Sequence, residues 1–244
     1  PVFFPGGNIG ELAVYGTVND LSMVGAKPLC MSAGLILEEG FLMNDLKKIL
    51  ASMADAAKRS GVKIIAGDTK VVNRGKGDGI FINTSGIGIL EDGVNISPSN
   101  IKSGDKIIVS GTIGNHGVAV MAERNGLSFN PPVLSDTAPL NQMVQEIIGY
   151  GGVHAMRDPT RGGLATTLKE MALESGLCFS IREASIPVPD GVRGASELLG
   201  IDPLYIANEG ILIAVVRKDA AESLLAILRK NPLGKDANII GEVS

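Results

Sequence analysis

Two spacings of apolar residues recur along this chain. In "NDLKKILASMADAAKRS", Leu46, Ile49, Leu50, Met53 and Ala57 follow one another at helical intervals, which predicts a helix over 44–60. Asn44 stands where an N-cap belongs, and Gly61 where such a helix stops. An earlier helix is expected from about Ile9 to Val24, closed by Gly25 with Pro28 beyond. Short β-branched runs read as strands: "PLCMSAGLIL", "VKIIAG" and "GIFINTSGIGIL". The first 95 residues therefore predict helix, strand, helix, strand, strand. One break stands out. In "KIIAGDTKVV" the apolar run gives way to Gly67-Asp68-Thr69-Lys70, where the backbone is expected to turn out of its core.

The polar, turn-rich stretch "EDGVNISPSNIKSGD" predicts a connection between two domains, 1–95 and 96–244. Beyond it, "KIIVSG", "ILIAVV" and "NIIGEV" read as strands. "HGVAVMAER", "APLNQMVQEIIG", "LATTLKEMALESG" and "DAAESLLAILRKN" read as helices. The pattern is that of two α/β (or α+β) layers, with no solenoid repeat.

Composition adds exclusions. Net charge is −4, and no stretch is strongly basic, which argues against a nucleic-acid surface. No apolar run approaches the roughly 20 residues of a membrane span. Cys30 and Cys178 lie in apolar segments without metal-ligand spacing and are read as buried thiols of a reducing, cytoplasmic protein. With only His116 and His154, a histidine-rich metal site is out. Glycine, 32 of 244 residues, is about twice its usual share of roughly 7% and predicts ordered turns and close backbone approaches. Pro1 falls in mid-pattern and Ser244 just after an apolar run, so a fragment of a longer protein is expected.

Several polar groups interrupt the apolar pattern. Asn19 and Asp20 sit in a helix of small and apolar residues. They fit an exposed polar pair or a carboxylate kept for a cation. Asp68 is the second such acid. Two hard oxygen ligands from separate elements suit Mg²⁺ carrying nucleotide phosphates, because Mg²⁺ takes few protein carboxylates and keeps several waters. A carboxylate about 4 Å from a phosphate charge costs about 4 kcal/mol at an effective dielectric near 20, so the metal belongs between them. Lys70 then suits the charge on a transferring phosphoryl group, or is a solvated strand-end lysine. In "MRDPTRGG", Asp158-Pro159 marks a turn. Gly162-Gly163 then opens a helix beside Arg161, a geometry that favours an anion. This is neither a Walker A loop nor a Rossmann fingerprint. His116, at a helix start, fits a nucleotide contact or a turn cap, and the dipole there favours its neutral form. His154 reads as structural. Glu209, in Asn208-Glu209-Gly210, is a turn acid or a general base.

Taken in order, "FFPGGNIGELAVYGTVNDLSMVGAKP", "GDTKVV", "GNHG", "MRDPTRGG", "ELLGIDPLYIANEG" and "NPLGKDANIIGEV" resemble the HypE family of hydrogenase maturation proteins over nearly the whole chain. That family is part of the ATP-binding superfamily of aminoimidazole ribonucleotide synthetase (PurM-like). The resemblance implies ATP-dependent dehydration of a carbamoyl group on a C-terminal cysteine to a thiocyanate, the source of cyanide for [NiFe] hydrogenase iron. It implies a homodimer whose N-terminal sheets form a barrel, the carbamoyltransferase HypF as donor, and the HypC–HypD complex as acceptor. It assigns proton removal to Lys70 and Glu209. Asp20 and Asp68 hold Mg²⁺ in this scheme, supported by Asn19 and Thr69. The nucleotide meets Asp158, Thr160, Arg161, Gly162, Gly163, His116 and Asn208. Family members also carry an N-terminal Gly-rich segment with an Asp pair and end in Pro-Arg-Ile-Cys. Both lie outside these 244 residues, so the fragment alone is expected to be inactive. Another ATP-using enzyme of the superfamily, such as a small-molecule kinase, or a non-catalytic scaffold are the alternatives.

Overall fold

A computed structural model describes residues 1–244. The chain opens with a short hairpin, β1 (Phe3–Phe4) and β2 (Gly7–Asn8). Asn8 caps α1 (Ile9–Met23), its side chain accepting from the Gly10 and Glu11 amides. Then come β3 (Lys27–Glu38), α2 (Met43–Ser60), β4 (Lys63–Val72) and β5 (Ile80–Ile89). Helix α2 starts one residue before Asn44. Leu42 is its N-cap residue and no side chain caps it, so the expected Asn44 cap is not formed. Gly61 ends α2 in the left-handed conformation, as its position foretold.

These strands make a sheet of order β4-β3-β5, with β4 parallel and β5 antiparallel to β3. One face packs on α1 and α2 through Met31, Ala33, Ile80 and Val14. The other face carries no helix and exposes Ile36, Phe81 and Ile87. β4 runs unbroken through Gly67–Lys70, where a turn was expected. Its ladder to β3 continues through Gly34–Asp68, Leu35–Thr69 and Ile36–Lys70. As an edge strand beside an open face, β4 leaves these polar side chains in water, so nothing forces the backbone out.

The second sheet has order β7-β9-β6-β10-β8, all neighbours antiparallel. Its elements in chain order are β6 (Lys106–Val109), α3 (Asn115–Arg124), α4 (Asn141–Tyr150), β7 (Val153–Arg157), α5 (Gly163–Ser175), β8 (Phe179–Ile181), α6 (Asp190–Leu199), β9 (Ile213–Val216), α7 (Ala221–Lys230) and β10 (Asn238–Val243). Ala214 and Val216 of β9 pack with α4 and α7, while Ile213 and Val215 pack with α5. A strand covered on both faces reads as a continuous apolar run, and β9 does. Met23 of α1 joins the α4–α7 core, so the two halves share packing.

His154 is structural: its Nδ1 lies 2.7 Å from Oδ2 of buried Asp105. The cysteines differ from expectation. Cys30 is half-buried and Cys178 exposed, just past the glycine that ends α5. No helix is long and apolar enough to cross a membrane.

Candidate active site

A hollow of about 420 Å³ opens between the two halves of the chain. One wall is the face of α1 bearing Ala13, Gly16, Thr17 and Asp20, with Thr84 of β5 beside it. Thr84 is locked there, its Oγ1 2.7 Å from Thr17 Oγ1 and 2.8 Å from the Ala13 carbonyl. The opposite wall is the turn after β7, with Asp158, Thr160 and Arg161, together with Glu209. Five residues singled out in the sequence thus converge: Asp20, Asp158, Thr160, Arg161 and Glu209.

Their charges act on one another. Burial raises the Glu209 carboxyl to about 8, and the neighbouring acids Asp136, Asp158 and Asp20 push the same way. Burial, then Asp20, raise Asp158 to about 6. Partial burial raises Asp20 while Arg161 opposes it. Three acids with one cation at the rim make a site that holds protons near neutral pH, or takes a cation in their place. No three acidic, imidazole or thiol groups close on a common point to cage a metal. The chemistry of the set suits Mg²⁺, which is held by one or two carboxylates and substrate phosphates.

The glycines of "DPTRGG" act as expected of a helix start. Gly162 is the N-cap of α5 at φ 70°, with no side chain capping the helix. A Cβ on Gly163 would strike the backbone of Leu204, Tyr205 and Ile206, so only glycine lets α5 approach that segment.

Asn19 and Asn208 bond backbone groups across the walls of the hollow. Asn19 is buried, donating to the carbonyls of Ala138 (3.0 Å) and Glu209 (3.4 Å) and accepting from the Leu140 amide at 2.8 Å. It ties α1 to the second half of the chain. Asn208 is fully buried; its Oδ1 accepts from the Gly114 amide and its Nδ2 donates to the carbonyls of Pro159 and Ile206. Both side chains are spent on backbone groups and hold the walls in place. His116, at the second residue of α3, is buried and neutral, held down to about 4 by burial and then Arg124. Its Nδ1 lies 2.9 Å from Ser135 Oγ, and it lines a separate, more apolar cavity with Tyr205 and Ile206.

Asp68 and Lys70 lie elsewhere. They line a second hollow with Ile36, Phe81 and Asn83 on the open face of the three-stranded sheet. Asn83 and Thr84 are consecutive on β5 and so point to opposite faces. The first sits with Lys70 and the second with Glu209, so the sheet itself stands between the two predicted catalytic groups. A single chain does not bring Asp68 beside Asp20, or Lys70 beside Glu209. Thr69 is exposed on the same strand, its amide 2.8 Å from Asp68 Oδ1.

Sequence reading missed Thr17, Thr84 and Asp136. Asp136 lies in "LSDTAP", whose Ser-Asp-Thr run is a turn signal that invites a check for side-chain-to-backbone bonds.

Comparison with known proteins bears on this geometry. Residues 1–90 match the AIR synthase related protein N-terminal domain and residues 102–244 the corresponding C-terminal domain. A carbamoyl dehydratase HypE of Bradyrhizobium diazoefficiens is 54% identical over 244 residues, covering 99% of this chain and 70% of the relative. The chain is similar to a HypE solved in a HypE–HypF complex, at 55% identity and a TM-score of 0.98, over 100% of this chain and 80% of that one. It is equally similar in shape to a HypE solved in complex with ATP, at 49% identity and a TM-score of 0.98, over 100% of this chain and 73% of that one. The chain belongs to the HypE family of hydrogenase maturation proteins, within the AIR synthase related proteins.

Proposed function

We propose that this chain uses ATP to dehydrate a carbamoyl group, carried on a cysteine sulfur, to a thiocyanate during [NiFe] hydrogenase maturation. The observation that carries the reading is the convergence of Asp20, Asp158, Arg161 and Glu209 in one hollow between the two halves. The carbamoyl dehydratase relatives and the ATP-bound relative support it.

An amide oxygen is a poor leaving group. Transfer of the ATP γ-phosphoryl to that oxygen releases ADP. Phosphate then leaves with the C–O electrons as both N–H protons are removed, and the carbon–nitrogen bond becomes a nitrile. Glu209 suits proton removal because a carboxyl raised to about 8 exchanges a proton near neutral pH. Asp20 and Asp158 would hold Mg²⁺, which supplies charge neutralisation for the phosphates. Arg161 and the free amides at the start of α5 would meet phosphate oxygens.

Lys70 and Asp68 join this site, in our reading, from a second copy of the chain. The exposed Ile36, Phe81 and Ile87 on the helix-free face of the sheet support joining two such sheets into a homodimer barrel, with edge strand β4 of one copy closing along β5 of the other, the edge strand whose Thr84 lines the hollow. HypF is the carbamoyl donor by extension from the HypE–HypF relative. The HypC–HypD complex is the cyanide acceptor by family resemblance.

The test is mass spectrometry of the C-terminal peptide of the full-length protein after incubation with HypF, carbamoyl phosphate and ATP. The carbamoylated cysteine should lose water only with ATP present. Glu209→Gln should slow that loss by about 100-fold or more, the lower range for a general base. A carbamoylated cysteine that persists in the wild-type protein contradicts the assignment.

A further inference from the structure

The segment around Asp136 crosses behind the Asn208–Glu209–Gly210 turn. Asp136 Oδ2 accepts from the Glu209 amide at 3.1 Å and the Gly210 amide at 2.9 Å. The same carboxyl group also faces the His116 amide at the start of α3. Its Oδ1 is sealed from solvent and has no hydrogen-bond partner. Two residues on, the Ala138 amide reaches the Glu209 carbonyl at 3.5 Å, and Asn19 reaches the same carbonyl from α1. A Cβ on Gly210 would overlap the Asp136 backbone, so no side chain separates turn from segment.

A buried carboxyl is costly, and burial raises Asp136 above the ordinary aspartate value. Backbone amides, Gly210 first and Glu209 next, oppose that rise. The buried acid thus has a specific counterpart: the peptide groups on either side of the Glu209 α-carbon. After burial, the Asp136 charge is also the largest influence on Glu209.

We propose that Asp136 is the positioning residue for Glu209: by accepting the Glu209 and Gly210 amides it sets the backbone from which the Glu209 carboxyl enters the hollow. The inference rests on the dehydratase reading. It extends that reading to a residue that never touches substrate.

Full-length wild-type, Asp136→Ala, Asp136→Asn and Glu209→Gln proteins, assayed for ATP-dependent thiocyanate formation, test both. A misplacement of about 1 Å costs about 100-fold in rate. Asp136→Ala should therefore lose about 30- to 100-fold in kcat, with KM for ATP changed less than about threefold. Asp136→Asn keeps an oxygen that accepts both amides and should recover kcat to within about fivefold of wild type. If Asp136→Ala does not fold, Asp136→Ser takes its place, being small, polar and too short to reach the turn. An alanine or serine variant with wild-type kcat, one that loses ATP affinity along with kcat, or an asparagine variant as slow as alanine each overturns the positioning role. Wild-type protein that forms no thiocyanate instead sinks the functional reading, and this inference with it.

Discussion

The five-stranded sheet is covered by helices on both faces, the three-stranded sheet on one only. In the first, every residue of β9 is buried and each supports one of two cores. In the second, nine of the ten residues of β4 are exposed, and Asp68 and Lys70 stand on the face without helices. The covered sheet carries stability, and the Glu209 turn leads into its strand β9. The open sheet has polar groups free to serve another surface. Chemistry-bearing residues thus divide between a rigid support and an unpartnered face.

Paired substitutions sharpen this contrast. Ile213→Ala in β9 should cost about 2–5 kcal/mol by urea unfolding, while Val71→Ala on exposed β4 should stay within about 0.5 kcal/mol. Equal costs would mean that β4 is as covered in solution as β9. The seam between the two halves comes next. Asn19→Ala leaves the Leu140 amide without its acceptor and should cost about 1–3 kcal/mol, also by urea unfolding.

A smaller effect comes from the raised carboxyl. Glu209 moves from the ordinary 4.5 to about 8 on folding. Between those values the folded chain holds a proton that the unfolded chain has lost, so this group's stabilisation is full below about pH 4.5 and is lost as pH rises towards 8. Asp158, raised to about 6, acts in the same direction over the lower part of that range. Glu209→Gln removes the larger share. It should narrow the drop in melting midpoint between pH 5 and pH 8 by about 2–6 °C. An unchanged drop would show that Glu209 is not held protonated.

Much of the architecture was legible because it depends on local patterns. Helix α2 follows from apolar spacing, its end from Gly61, and β9 from an unbroken apolar run. Helix α6 was missed: Gly191 and Gly194 lower its propensity, although Val192 and Ala195 mark a buried face. β4 was misjudged at Gly67–Lys70 because local sequence does not say which strand is an edge or which face lies open. In the site, Asp20, Asp158, Arg161 and Glu209 were found as polar interruptions of apolar segments. What joins them was hidden. Asn19 meets Leu140 and Asp136 meets Gly210 across long stretches of chain, and such pairings leave no spacing to read.

The central claim is that Lys70 and Glu209 act together across two copies of the chain. Lys70→Ala and Glu209→Gln subunits, tagged differently and co-expressed, give a heterodimer that can be isolated. A site shared between copies leaves one of its two sites intact, so it should form thiocyanate at about half the wild-type rate while each mutant homodimer stays inactive. A heterodimer as inactive as the two homodimers would contradict the account.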